Sequence, residues 1–184
     1  MRLFVAVPLP DDLRARLAGL AGGVPNARWV APENLHLTLR FIGEVDRAQA
    51  RDVDSALVKI SSPAFTLSLA GVDRFGVGRN LRSLWVGVDE SAELSRLHGK
   101  IEHALQQSGL PPEGRKFKAH VTLARFTGTR GSSGVKLHDY LAGHALFRSV
   151  PFVVREFVLF SSFLSHSGAV YSPEASYALT LPGI

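Results

Sequence analysis

Residues 2–17 read RLFVAVPLPDDLRARL, and residues 82–97 repeat the pattern as RSLWVGVDESAELSRL. Each copy opens on an apolar run and continues into leucines at helical spacing, which reads as a strand followed by a helix. Strand–helix units resemble one another by default, so this alone decides little. The deciding feature lies downstream: His-Leu-Thr-Leu at 36–39 in the first half and His-Val-Thr-Leu at 120–123 in the second. Phe4 precedes His36 by 32 residues and Trp85 precedes His120 by 35. A short motif recurring at a matching place in two matching units marks an internal duplication.

The remaining elements follow outward from these anchors. Leu35, Leu37, Leu39 and Phe41 alternate along one face of a predicted strand, and His36, Thr38 and Arg40 along the other. Asp46 with Gln49 predicts a capped helix start, with Val53, Leu57 and Ile60 as its buried stripe, and Phe65 to Ala70 alternates as a further strand. In the second half Leu84 to Val88 predicts a strand, and Leu94, Leu97, Ile101 and Leu105 a helix stopped by Gly109. Strands are expected at Phe117 to Arg125, Phe152 to Phe163 and Ser176 to Leu181, with a short helix near Lys136 to Ala142. Each half therefore reads β-α-β-α-β, with one strand added to the second. The expected fold is an α+β protein of two pseudo-symmetric lobes with facing sheets around a central cleft. It is read as one bilobal domain over 1–184, its lobe-forming halves at about 1–75 and 83–184.

Composition narrows the chemistry. With 46% apolar and 20% charged residues among 184, the chain can bury a core of its own. Cysteine is absent, which removes disulfides, thiolate metal sites and a cysteine nucleophile. The excess of 21 basic over 16 acidic residues gives +5 and favours an anionic partner. The apolar opening is too short for a signal-peptide core, and Val150 to Leu164, interrupted by Arg155 and Glu156, falls short of the ~20 residues that span a bilayer. A soluble cytoplasmic protein without membrane contact, and a monomer, is the expectation.

Side chains two apart on a strand share a face at a spacing of roughly 7 Å, so His36 sits with Thr38 and His120 with Thr122. A two-fold relation between the halves would set both pairs across one cleft. In-line displacement at phosphorus suits that arrangement, because it needs a base on one side of the phosphorus and an acid on the other. Histidine, with an ordinary pKa near 6.5, fills either role. Threonine hydroxyls would bond the equatorial oxygens, where the charge sits.

The segments NARWVAPENLHLTLRFIGEV and KFKAHVTLARF resemble the two signature segments of the two-histidine phosphoesterase superfamily, in particular its LigT-like RNA 2′,3′-cyclic phosphodiesterases, also called 2′-5′ RNA ligase-like. The resemblance covers nearly the whole chain. It implies hydrolysis of a 2′,3′-cyclic phosphate on RNA or a nucleotide to a 2′-phosphate, with no metal and no cofactor. It makes His36 the proton donor and His120 the acceptor, and gives Thr38, Thr122 and Arg125 to the phosphate. Parity points Arg125 away from His120, so a bulge or strand end must turn it inward. By parity alone Arg40 and Lys118 are the better-placed cations. Ala119 stands where the family usually has proline. Two alternatives remain open: RNA ligation at the same site, with a 5′-hydroxyl replacing water, and a nucleotide- or RNA-binding module without turnover.

Other candidates read more plainly. His98 and His103 are five apart, not at the four-residue spacing of a zinc helix, and are expected to face solvent; His138 and His144 stand singly. The Gly128, Gly131, Gly134 loop lacks the GK[ST] ending of a phosphate loop. Arg79, Arg82 and Arg130 could guide an RNA backbone or simply be solvated. Ser161 and Ser162 lack the partners of a hydrolase nucleophile. Among aromatics that could stack a base, Trp29, Phe41, Trp85 and Phe126 are expected in the core; Tyr171 is freer, and His166 nearby could reach a substrate.

Overall fold

Leu3 to Val7 form the centre of β1 (Arg2–Pro8) and are at most 3% exposed, as an unbroken apolar run requires of a strand covered on both faces. The computed structural model describes residues 1–127, 134–166 and 168–181. After β1 come α1 (Asp11–Ala18), β2 (Arg28–Trp29), β3 (His36–Glu44) and α2 (Arg47–Leu57). The predicted cap of α2 is present: the Gln49 N–H donates to the Asp46 carboxylate at 2.8 Å and the Asp46 N–H to the Gln49 amide oxygen at 3.1 Å. Val53 and Leu57 are buried, as the stripe requires.

The next strand divides. Where one strand was expected over Phe65 to Ala70, β4 (Phe65–Leu67) and β5 (Leu69–Phe75) belong to different sheets. They are followed by β6 (Ser83–Val88), α3 (Ala92–Gln107), β7 (His120–Arg125), α4 (Gly134–His144), β8 (Phe152–Val154), β9 (Glu156–Ser165) and β10 (Gly168–Ala178). In α3, Leu94, Leu97, Ile101 and Leu105 are all buried, Ser91 caps the start, and the chain turns away at Gly109 with φ +92°. β10 begins well before the predicted Ser176 and makes a hairpin with β9; its residues up to Ser172 are half-buried, so no apolar alternation announces them.

Among the described residues the main sheet runs β10-β9-β1-β3-β7-β6-β5, with β2 also on β7, while β4 and β8 form a separate pair. All neighbours are antiparallel. The duplication is visible about the middle: β1 with β3 on one side, β6 with β7 on the other, joined by the single pair Leu37↔Val121. The strand pairing crosses the division of the chain at 75/83. β5, from the first half, lies against β6; β9 and β10, from the second, extend β1. Leu37, Leu97, Ile101, Leu105 and Val121 are fully buried in one continuous core that takes in both halves. No helix among the described residues is long and apolar enough to cross a membrane.

Candidate active site

Both motif strands carry the same irregularity. Along β1, Ala6 pairs with Thr38 and Val5 with Arg40, so Leu39 has no partner. Along β6, Trp85 pairs with Thr122 and Leu84 with Ala124, so Leu123 has none. A bulge inserts one residue and resets which face the following side chains take. The burial of the six residues from each histidine is accordingly the same: half-buried, buried, half-buried, buried, buried, exposed.

This corrects the parity argument at three positions. Arg40 does not share the face of His36. It is 7% exposed on the helix side, where its Nε lies 2.7 Å from Glu102 of α3, its Nη1 3.4 Å from Glu113, and its Nη2 donates to the Pro111 carbonyl at 2.5 Å. Phe41, expected in the core, is 56% exposed on the histidine side. Arg125, at the equivalent place after its own bulge, comes round to the face of His120.

The two histidines are held alike. Nδ1–H of His36 donates to the Asn34 carbonyl at 2.7 Å, and Nδ1–H of His120 to the Lys118 carbonyl at 2.6 Å. A carbonyl only accepts, so each neutral ring keeps its proton on Nδ1 and offers Nε2 as the basic atom. Nε2 of His36 lies 2.9 Å from the Thr38 hydroxyl. Asn34 is itself tied to β10, its Nδ2 donating to the Ala169 carbonyl at 2.8 Å. Extending the antiparallel register through Leu37↔Val121 sets His36 across from Thr122 and His120 across from Thr38. In that ideal register the histidines take one diagonal of a four-residue rectangle and the threonines the other, an ideal diagonal being roughly 7–8 Å.

Aromatic rings back both imidazoles. Phe4 lies 4.9 Å and Tyr171 5.3 Å from the His36 ring; Phe75 lies 4.9 Å and Trp85 5.8 Å from that of His120. Burial against these walls drives the His36 pKa down to about 4, against a raising contribution from the Asn34 carbonyl, with Arg125 and His120 opposing protonation further. Burial likewise lowers His120, where the Lys118 carbonyl raises and Arg125 and Lys118 lower. Arg125 is thus electrostatically coupled to both rings. Lys118 is exposed ahead of β7 and holds its Nζ 4.5 Å over the Trp85 ring. Gly87 pairs with His120, and a Cβ there would come within 2.7 Å of the Ala70 carbonyl, so only glycine fits.

A cleft of about 760 Å³ opens beside His36, lined also by Phe4, Phe41, Arg125, Phe163 and Tyr171. The remaining candidates lie elsewhere. His98 does not face solvent freely but stacks on Phe117 at 3.9 Å; His103 is exposed on a groove between α2 and α3; His144 packs on Tyr140; His138 and His166 are exposed. Arg79 and Arg82 are exposed, and Arg130, Gly128 and Gly131 lie outside the described residues. Among the described residues no three His, Asp or Glu side chains converge as metal ligands would.

The family model described as LigT like Phosphoesterase matches this chain twice in succession, over residues 7–85 and 86–171. The chain belongs to this family. Each match contains one His-x-Thr motif, so the duplication read from the sequence is a property of the LigT-like unit. Among similar proteins, the RNA 2′,3′-cyclic phosphodiesterase of Archaeoglobus fulgidus is 32% identical over 174 residues, 93% of this chain and 96% of its own. That of Escherichia coli is 30% identical over 97% of both chains. A crystal structure of E. coli LigT complexed with 3′-AMP superposes with a TM-score of 0.76 at 28% identity, covering 97% of this chain and 98% of that one. The α+β architecture is thus that of LigT-like phosphoesterases. The bulges are what sequence parity missed; their only trace in the sequence is Leu-Arg-Phe and Leu-Ala-Arg following the two motifs, where strict alternation breaks.

Proposed function

We propose that this protein hydrolyses the 2′,3′-cyclic phosphate of RNA or nucleotide ends to a 2′-phosphate without a metal, His36 serving as acid and His120 as base. The observation that supports this reading is the pairing of the two His-x-Thr strands at Leu37↔Val121, with each imidazole anchored through Nδ1 to a carbonyl and Arg125 electrostatically close to both rings. The relatives' activity on 2′,3′-cyclic phosphates supports the substrate class.

In this reaction Nε2 of His120 takes a proton from water as its oxygen attacks phosphorus, the P–O3′ bond breaks, and protonated His36 delivers its proton to O3′. A 2′-monophosphate and a free 3′-hydroxyl leave. Thr38, Thr122 and Arg125 donate to the non-bridging oxygens, whose charge grows in the transition state. Each histidine contributes on the order of 10²- to 10⁴-fold.

The test is to incubate the protein with a 2′,3′-cyclic-phosphate oligonucleotide and excess EDTA. A 2′-phosphate product, lost in His36→Ala and His120→Ala, is expected. Retention of the oligonucleotide without product would make the protein a binder, and dependence on added metal would remove the two-histidine mechanism.

A further inference from the structure

The pseudo-two-fold relation breaks at one informative place. The fifth residue after each motif histidine is Arg125 in one strand and Phe41 in the other, both swung to the active face by their bulges. Phe41 is 56% exposed, its ring 6.2 Å from buried Phe4. Tyr171 lines the same cleft, its ring 5.3 Å from that of His36. On the other side of the site, the side chain above buried Trp85 is the exposed cation Lys118. Exposed aromatic surface is costly to maintain in water and marks a binding surface when it is concentrated in one cleft.

The stereochemistry of the proposed reaction says what belongs there. In a 2′,3′-cyclic phosphate both ester oxygens sit on the same ribose. The attacking water approaches opposite O3′, so it occupies the His120 side and the nucleoside occupies the His36 side. The wall on that side is the aromatic one. A cleft of about 760 Å³ is within the range that accommodates a small ligand.

We propose that Phe41 is the stacking platform for the base of the terminal nucleotide, with Tyr171 in the same cleft, so that this cleft makes the protein select a nucleoside cyclic phosphate over a bare sugar cyclic phosphate. This rests on the reaction assigned above. Stacking serves any base, because every base presents a π-face. Phe41 then sets substrate affinity, while the histidines and Arg125 act at phosphorus.

The experiment compares kcat and KM for a nucleoside 2′,3′-cyclic phosphate and for a methyl riboside 2′,3′-cyclic phosphate, which has no base, in wild type, Phe41→Ala and Phe41→Tyr. For Phe41→Ala, KM for the nucleotide should rise roughly 5- to 100-fold with little change in kcat, the range expected for loss of one base–aromatic stack. The effect on the base-less ester should be several-fold smaller, and Phe41→Tyr should restore nucleotide KM. Equal losses on both esters, or no loss on either, would overturn the assignment. A parallel titration with a nucleoside 2′-monophosphate and with inorganic phosphate tests the platform without turnover: Phe41→Ala should weaken the first and spare the second. If wild type binds the nucleotide in this way yet hydrolyses neither ester, the reaction fails and the platform stands. If wild type binds nucleotide no better than phosphate, the platform fails.

Discussion

His36 is the side chain whose protonation the proposed reaction needs and whose surroundings oppose it. With its pKa near 4 and that of His120 lowered from its ordinary value by burial, both rings are neutral at pH 7 in the free protein. A bound phosphodiester anion reverses part of this, since an adjacent negative charge favours the imidazolium. kcat/KM reports the free protein, so its bell should peak on the acid side of pH 6.5; kcat reports the complex, so its alkaline limb should lie at higher pH. Stability follows the same linkage. A histidine depressed on folding binds more protons unfolded than folded, so stability is present above about pH 6.5 and is lost as pH falls toward 4. Denaturant titrations should show this fall, and His36→Gln should remove a share of it on the order of 2–3 kcal/mol. An unchanged pH slope in that variant would mean that His36 is not held in the neutral form by burial.

At the scale of elements, the two bulges decide which arginine does what. Arg40 breaks no rule in the sequence; it simply sits one residue past an insertion that the pattern does not announce, and so it enters the helix layer between Glu102 and Glu113. The elements themselves were legible because hydrophobic period, the Asp46–Gln49 cap and Gly109 are local signals. The split of β4 from β5 and the early start of β10 were not, since each depends on a strand distant in sequence: β8 for β4, β9 for the first half of β10. Within the site, His36, Thr38, His120 and Thr122 follow from parity, while Phe41 and Arg125 need the bulge. This gives opposite expectations for two arginines. Arg40→Ala leaves Glu102 without its closest cation and should cost about 3 kcal/mol of unfolding free energy, as breaking a buried pair does. Arg125→Ala, at an exposed position, should leave stability within ~0.5 kcal/mol and reduce kcat roughly 10²-fold, as loss of one transition-state donor does. Denaturant midpoints and kcat measured on both variants check the pair; a stability loss in Arg125→Ala with turnover intact would place the wrong arginine in the site.

For the whole molecule, the question is how two units joined by one strand pair stay in the register that chemistry demands. Leu37↔Val121 is a narrow seam, yet each half of the chain also lends strands to the other's part of the sheet. β1 cannot find its neighbour β9 unless both halves are folded. The exchange makes the seam a part of one cooperative core, with Leu37 and Val121 fully buried beside Leu97, Ile101 and Leu105. Leu37→Ala should therefore destabilise by about 2–5 kcal/mol, the usual cost of a large-to-small change in a packed core. Both tryptophans lie on the far side of the seam from Leu37, Trp29 on β2 against β7 and Trp85 on β6. Their fluorescence in Leu37→Ala should nonetheless report the same lowered denaturant midpoint as far-UV circular dichroism, because one transition melts both sides. A tryptophan midpoint left at the wild-type value would mean that the sides unfold separately, and the histidines would then be held in register by a contact weaker than the catalytic geometry requires.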